Sequence, residues 1–235
     1  MSPSRELIRL SNRLQPVLRR RLLEAARTAQ TRLPIGLLAE ILRSRRLDAA
    51  ELRRLLAEWP ALVRQAVLPT LTRAARGGAA IAHEDLTDRL GVGGFVPIVN
   101  PAAVRAAERQ TARLVTRITG ETRTQIRLVV RLAMAEGLPP REAARLIQPL
   151  VGLTARQSAS VFRFRERLLA AGAPEATLFS QLGRYERRLL RQRAVNIART
   201  EIQFAQEAGQ TALCADGRPA RPRARRGNAG VDRDA

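Results

Sequence analysis

The 235-residue sequence contains no lysine, and only one histidine (His83), one cysteine (Cys214), one tryptophan, one tyrosine and five phenylalanines. Each scarcity removes a class of chemistry. Without lysine there is no Walker-type phosphate loop, whose ammonium group must reach the nucleotide phosphates. A zinc site needs about four closely spaced Cys, His or acidic ligands, and the two soft ligands here lie far apart in the chain. A Ser-His-Asp relay would have to run through His83 alone, which sits beside Glu84 and Asp85 and reads as a hydrated loop histidine. One cysteine cannot close an intrachain disulfide. Aromatic residues make up 3%, a poor match for single-strand binders, which stack bases on aromatic platforms. Neither a metal site nor a cofactor site is expected.

Long hydrophobic runs are also missing. The longest charge-free stretch, residues 90–104, carries Gly91, Gly93, Gly94, Pro97 and Pro101. It falls short of the roughly 18 apolar residues of a membrane span and reads as a loop. Its Gly91-Val92-Gly93-Gly94 run has no strand before it, so it reads as a hinge rather than a dinucleotide loop. The N-terminal residues scatter arginines where a signal peptide needs an uninterrupted apolar core. These features predict a protein made in the cytoplasm, soluble or assembled, with no membrane partner.

What the chain does contain is aliphatic side chains and arginine. Hydrophobic residues make up 45%, enough to bury a core. All 42 Lys+Arg positions are arginine, against 21 acids, for a net charge of +21. An arginine-rich codon usage accounts for the missing lysine. It does not account for a twofold excess of base over acid.

The hydrophobic period is helical nearly throughout, and no strand or internal repeat stands out. The expected fold class is all-α. Residues 1–80 form an N-terminal helical region, with a helix from residue 4 to about 32 kinked at Pro16 and a short one over 34–42. Asp48 followed by Glu51 opens another as a capping box. Trp59, a packing anchor, and Pro60 begin a helix that Pro69 interrupts and Gly77-Gly78 end. Residues 81–99 read as a hinge. Residues 100–213 form a C-terminal helical region opened by Asn100 as N-cap and Pro101 at the first helical position. Its helices run from there to about Ile118, over 121–136 beyond Gly120, over 140–150, over 155–171 from a Thr154 cap, and over roughly 175–208. The stripe Ile126, Val129, Val130, Ala133 and Met134 faces the core. Residues 214–235 read as a disordered basic tail.

Arginines recur at four-residue spacing: Arg5, Arg9, Arg13; Arg105, Arg109, Arg113, Arg117; and Arg123, Arg127, Arg131. A four-residue step drifts only about 40° around a helix, so each ladder is a nearly straight ridge. Like charges so placed repel by about 0.2–0.5 kcal/mol per pair, a cost that acids or a polyanion can offset. Such ridges fit sequence-independent binding of double-stranded DNA through its phosphates, or a solvated or protein-facing surface. Arg218, Arg221, Arg223, Arg225 and Arg226 make the tail a second candidate grip on phosphates, or simply a solubilising end.

Residues 194–209 read AVNIARTEIQFAQEAG. On a helical wheel, Ile197, Phe204, Ala208, Ala205, Ala198 and Ile202 form one apolar arc, with Glu201 in its middle and Arg199 opposite. A carboxylate on a core face costs several kcal/mol unless it is paired. Glu201 is therefore expected to accept a hydrogen-bonded arginine from another helix, as a structural latch.

The string Ile197-Ala198-Arg199-Thr200-Glu201, with Ala205 and Ala208-Gly209 after it, resembles the signature of the phage head morphogenesis family, the minor head proteins of bacteriophage Mu F type. The order of elements upstream is similar too: Gly137, Glu142, Ile147, Gly152-Leu153-Thr154, Arg156-Gln157 and Arg193-Ala194. The likeness covers about residues 95–213. It implies a virion component of the head, assembled in the cytoplasm of a bacterial host. Such a component docks on a portal or capsid protein, in some relatives touches packaged DNA, and has no enzymatic activity and no small-molecule ligand. Beyond Gly209 the chain departs from the family, lacking the compact segment with Trp, an Asp-Arg pair and Cys/His residues. A sequence-independent nucleic-acid-binding protein without a virion role is the other expectation.

Overall fold

The computed structural model describes residues 3–44, 48–90 and 100–216, and among them there are eight α-helices and no strand. The fold is all-α. In chain order the helices are α1 (Pro3–Arg32), α2 (Ile35–Ser44), α3 (Ala49–Leu55), α4 (Trp59–Leu90), α5 (Pro101–Ala135), α6 (Pro140–Ile147), α7 (Ala155–Ala170) and α8 (Glu175–Asp216). A 3-10 turn, Gln148–Leu150, follows α6.

Helix starts follow the local chemistry. Asp48 accepts from the amides of Ala50 (2.7 Å) and Glu51 (2.8 Å), and the Glu51 carboxylate accepts from the Asp48 amide at 3.0 Å. Asn100 caps α5 through the amides of Ala102 (2.9 Å) and Ala103 (3.2 Å). Thr154 and Gln157 form a second capping box at the start of α7. At the other end, Gly137 after α5 and Gly172 after α7 take positive φ, the conformation that terminates helices at glycine.

The expected interruptions at Pro69, Gly77-Gly78, Gly120 and Gly209 do not occur. Helix α1 runs on through Pro16, and α4 through Pro69 and Gly77-Gly78 to Leu90, so the first ten residues of the expected hinge are helical. Both prolines are exposed, as are Asn12 and Gln65 one turn earlier, whose carbonyls each proline leaves without an amide partner. Their exposure leaves these carbonyls open to water, which reduces the cost of a proline inside a helix. Helix α5 continues across Gly120 as one element of 35 residues, because Ile118, Thr119 and Thr122 around it are buried. Packing there outweighs the propensity cost of about 1 kcal/mol for glycine. Helix α8 continues past Gly209 to Asp216, so the first three residues of the expected tail are helical. Residues 91–99, with the Gly91–Gly94 run, lie outside the described residues, as do residues 217–235 with Arg218, Arg221, Arg223, Arg225 and Arg226.

The long helices pack on one another: α4 against α1, α5 and α8, and α8 against α1 and α5. Helix α2 lies on α6, and α7 on α5 and α8. One core runs through both halves of the chain, from Leu14, Leu18 and Leu71 to Leu114, Ile126, Leu182 and Ile202. It is aliphatic, as the composition predicts. Trp59 and Phe162 are its buried aromatic members, each 4% exposed, and the Trp59 indole N–H donates to Thr122 Oγ1 at 3.1 Å. Met134, expected in the core stripe of α5, is 36% exposed beside the helix terminus.

The crossing of α4 and α8 explains two glycines. A Cβ on Gly78 would collide with the backbone carbonyl of Gln206, and a Cβ on Gly209 with that of Ala75. Glycine lets the two backbones touch at that point, which is why neither residue ends its helix.

Candidate functional site

The crossing sets the rotation of α8 and so decides what each residue of the IARTE string does. Ala194, Ala198, Ile202 and Ala205 are buried, and Glu201 among them is 3% exposed. Arg199 and Thr200 face outward. The buried arc is turned relative to the helical-wheel expectation. Gln206 is buried, its amide oxygen accepting from Ser11 Oγ at 2.9 Å and its nitrogen donating to the Leu7 carbonyl at 3.0 Å. Phe204, expected in the core, is 50% exposed, and Ile197 is half-buried. The backbone contact at Gly209 fixes this angle, and a wheel drawn from one helix alone does not contain it.

Glu201 is held by two side chains of α5. Arg117 donates to Oε1, and Gln110 Nε2 donates to Oε2 at 3.0 Å and to the Glu201 main-chain carbonyl at 2.9 Å. The carboxylate is thus a latch between α5 and α8. The guanidinium of Arg117 is about half exposed, so water screens part of the attraction.

Other positions that carry the family resemblance have local roles in the same assembly. Arg193, buried, donates to the Gly152 carbonyl at 2.6 Å and to Glu121 of α5. Burial pushes its pKa down, and Glu121 opposes that shift. Glu142 and Glu136 both meet the buried Arg165, at 3.4 and 2.7 Å. The spacing in the sequence does not reveal these partners, because each pair joins different helices.

The α5 ladders change meaning because α5 is continuous. Eighteen residues make five turns of about 3.6 residues, so Arg123, Arg127 and Arg131 repeat the angular positions of Arg105, Arg109 and Arg113. Two expected ridges become one row about 39 Å long at 1.5 Å per residue. Arg105, Arg109, Arg113, Arg127 and Arg131 are exposed. Arg123 is turned partly inward, its Nε buried without a partner among the described residues. Arg5 and Arg13 of the first ladder are exposed on α1.

Beside that row lies an open groove of about 510 Å³ between α5 and α8. Arg109, Arg113 and Arg117 form one wall, and Phe204 with Glu201 the other. Ala106, Leu114 and Ala208 supply its apolar surface. Among the described residues, Arg109 and Arg113 have no acidic partner within ion-pair distance. No group of three or more His, Cys, Asp or Glu among the described residues is placed to hold a metal ion. His83 lies on α4, with its Nε2 3.5 Å from Thr87 Oγ1. No helix among the described residues is long and apolar enough to cross a membrane.

No family model, curated protein or solved structure matches this chain.

Proposed function

We propose that this chain is a minor head protein of a phage or prophage, a structural component that docks on a portal or capsid protein and touches packaged DNA through its arginines. The observation that carries this reading is the Glu201 latch. The acid of the IARTE string joins the two helices that border the basic groove, so the string sets the geometry of a surface. A buried acid satisfied by Arg117 and Gln110 suits a scaffold whose purpose is to present side chains to partners. The ordered likeness over residues 95–213 supports the family reading, and the basic row on α5 supports contact with phosphates. Mass spectrometry of purified particles, with co-purification of a portal protein, tests the reading. The chain is expected in the particles at low copy number. Its absence there, together with no portal association, overturns the assignment.

A second reading rests on the merged row alone: a sequence-independent nucleic-acid-binding helical protein without a virion role. In that case DNA retention is expected to be steeply salt-dependent, with no particle association.

A further inference from the structure

We infer that the groove between α5 and α8 receives an acidic amphipathic helix of a partner protein, whose carboxylates pair with Arg109 and Arg113 and whose apolar face covers Phe204 and Ala208. This deepens the docking reading above and rests on it for the partner being a protein.

The walls of the groove are already spaced for a helix. The α5 wall presents residues at 106, 109, 110, 113, 114 and 117, and the α8 wall at 201, 204 and 208. These are steps of one, three and four, the ridge spacing into which a third helix packs. From 106 to 117 the wall spans about 17 Å, which holds about three turns of a docked helix.

Charge and apolarity select the chemistry. Exposed Arg109 and Arg113 have no acidic partner among the described residues and stand one turn apart. Acids four residues apart on a partner helix match that step, about 6 Å. Phe204 is 50% exposed beside the buried Glu201 and Ala205 of α8, so half a phenyl ring is left to water. An anchor in an apolar pocket flanked by charge is the helix-in-groove mode of recognition.

Nucleic acid fits the groove less well. Phosphates would use the arginines but leave the exposed ring of Phe204 uncovered. Base stacking calls for successive aromatic platforms, and this groove has one ring. The α5 row is thereby divided. Arg109 and Arg113 serve the partner helix, while Arg127 and Arg131 beyond the groove remain available to phosphates.

A blocked 14-residue helical peptide tests this, with glutamates at four-residue spacing beside a leucine face, against the same peptide with glutamine at those positions. Fluorescence anisotropy with the full chain is expected to give at least tenfold tighter binding for the glutamate peptide. Phe204→Ala should weaken it about tenfold, and so should the double change Arg109→Ala with Arg113→Ala, both at unchanged melting temperature. Equal binding of the two peptides, or no effect of Phe204→Ala, overturns the proposal. So does failure of both peptides while a single-stranded oligonucleotide binds in a Phe204-dependent way. Peptide binding by a chain that is absent from particles and does not associate with a portal protein would leave the groove assignment standing and remove the virion reading.

Discussion

Glu201 sits among alanines and an isoleucine with its charge met by one arginine and one glutamine. Replacing it with glutamine keeps the shape and removes the charge-assisted bond. Glu201→Gln should cost about 1–2 kcal/mol, lowering the melting temperature by roughly 2–8 °C for a chain of this size. An unchanged melting temperature would mean that the latch contributes nothing to stability. Glu186 of α8 is a different buried acid, 8% exposed, beside a cavity of about 180 Å³ that Arg27, Arg187 and Arg191 also line. Burial pushes its pKa up to about 7, with Arg187 opposing. The folded state therefore favours the protonated form, and the unfolded chain binds fewer protons between the ordinary carboxylate value and about 7. Stability contributed below that window falls as pH rises through it, by up to about 3 kcal/mol. Thermal melts at pH 5 and pH 8 should differ in that direction, and Glu186→Gln should flatten the difference. The sequence marks Glu201 as an acid on an apolar face. It gives no such mark for Glu186, whose neighbours from α1 are more than 150 residues away in the chain.

At the scale of the helix, glycine has opposite roles at two places. Gly209 touches the backbone of α4, and Gly120 has nothing within 4 Å of where a Cβ would stand. Gly209→Ala should drive the α4–α8 crossing apart and cost about 3 kcal/mol, at the upper end for overpacking. Gly120→Ala should stabilise α5 by about 0.5–1 kcal/mol. Chemical denaturation of the two variants checks both signs, and a destabilising Gly120→Ala would mean that α5 breaks there. In the sequence the two residues look alike, each a glycine amid helical periodicity. The caps were legible because their chemistry is local: Asp48 with Glu51, Asn100 with Pro101, and Thr154. The continuity of α4 and α5 was not, because buried neighbours on other helices outweigh the local propensity for a break.

Among the described residues most arginines lie on the outside, Arg165 and Arg193 being buried and paired, while the core is mainly aliphatic. The continuous α5 extends the basic row to about 39 Å, by its rise of 1.5 Å per residue. For duplex DNA the log–log salt slope is about −0.9 per phosphate neutralised. The double change Arg127→Ala with Arg131→Ala should therefore reduce its magnitude by about 1.8 in filter binding. Loss of retention at every salt concentration without a change of slope would argue against phosphate contact by these two side chains. Both halves of the chain share one core, so the surfaces on α1, α5 and α8 are held in one frame. This joining could not be read from the residues around 81–99, whose acids, glycines and proline suggest separation. It follows from the burial of Leu71, Ala74 and Ala75 of α4 between helices of both halves.

By itself the sequence determined the all-α class, the caps, the aliphatic core and the presence of an acid that requires a partner. These depend on period, local hydrogen bonding and composition, all of which act within a few residues. Only the tertiary structure decided which arginine meets Glu201, that two ladders make one row, and that Phe204 is left at the edge of a groove. Those outcomes depend on the rotation of α8, set where Gly78 and Gly209 let two backbones meet, and no single helix carries that information.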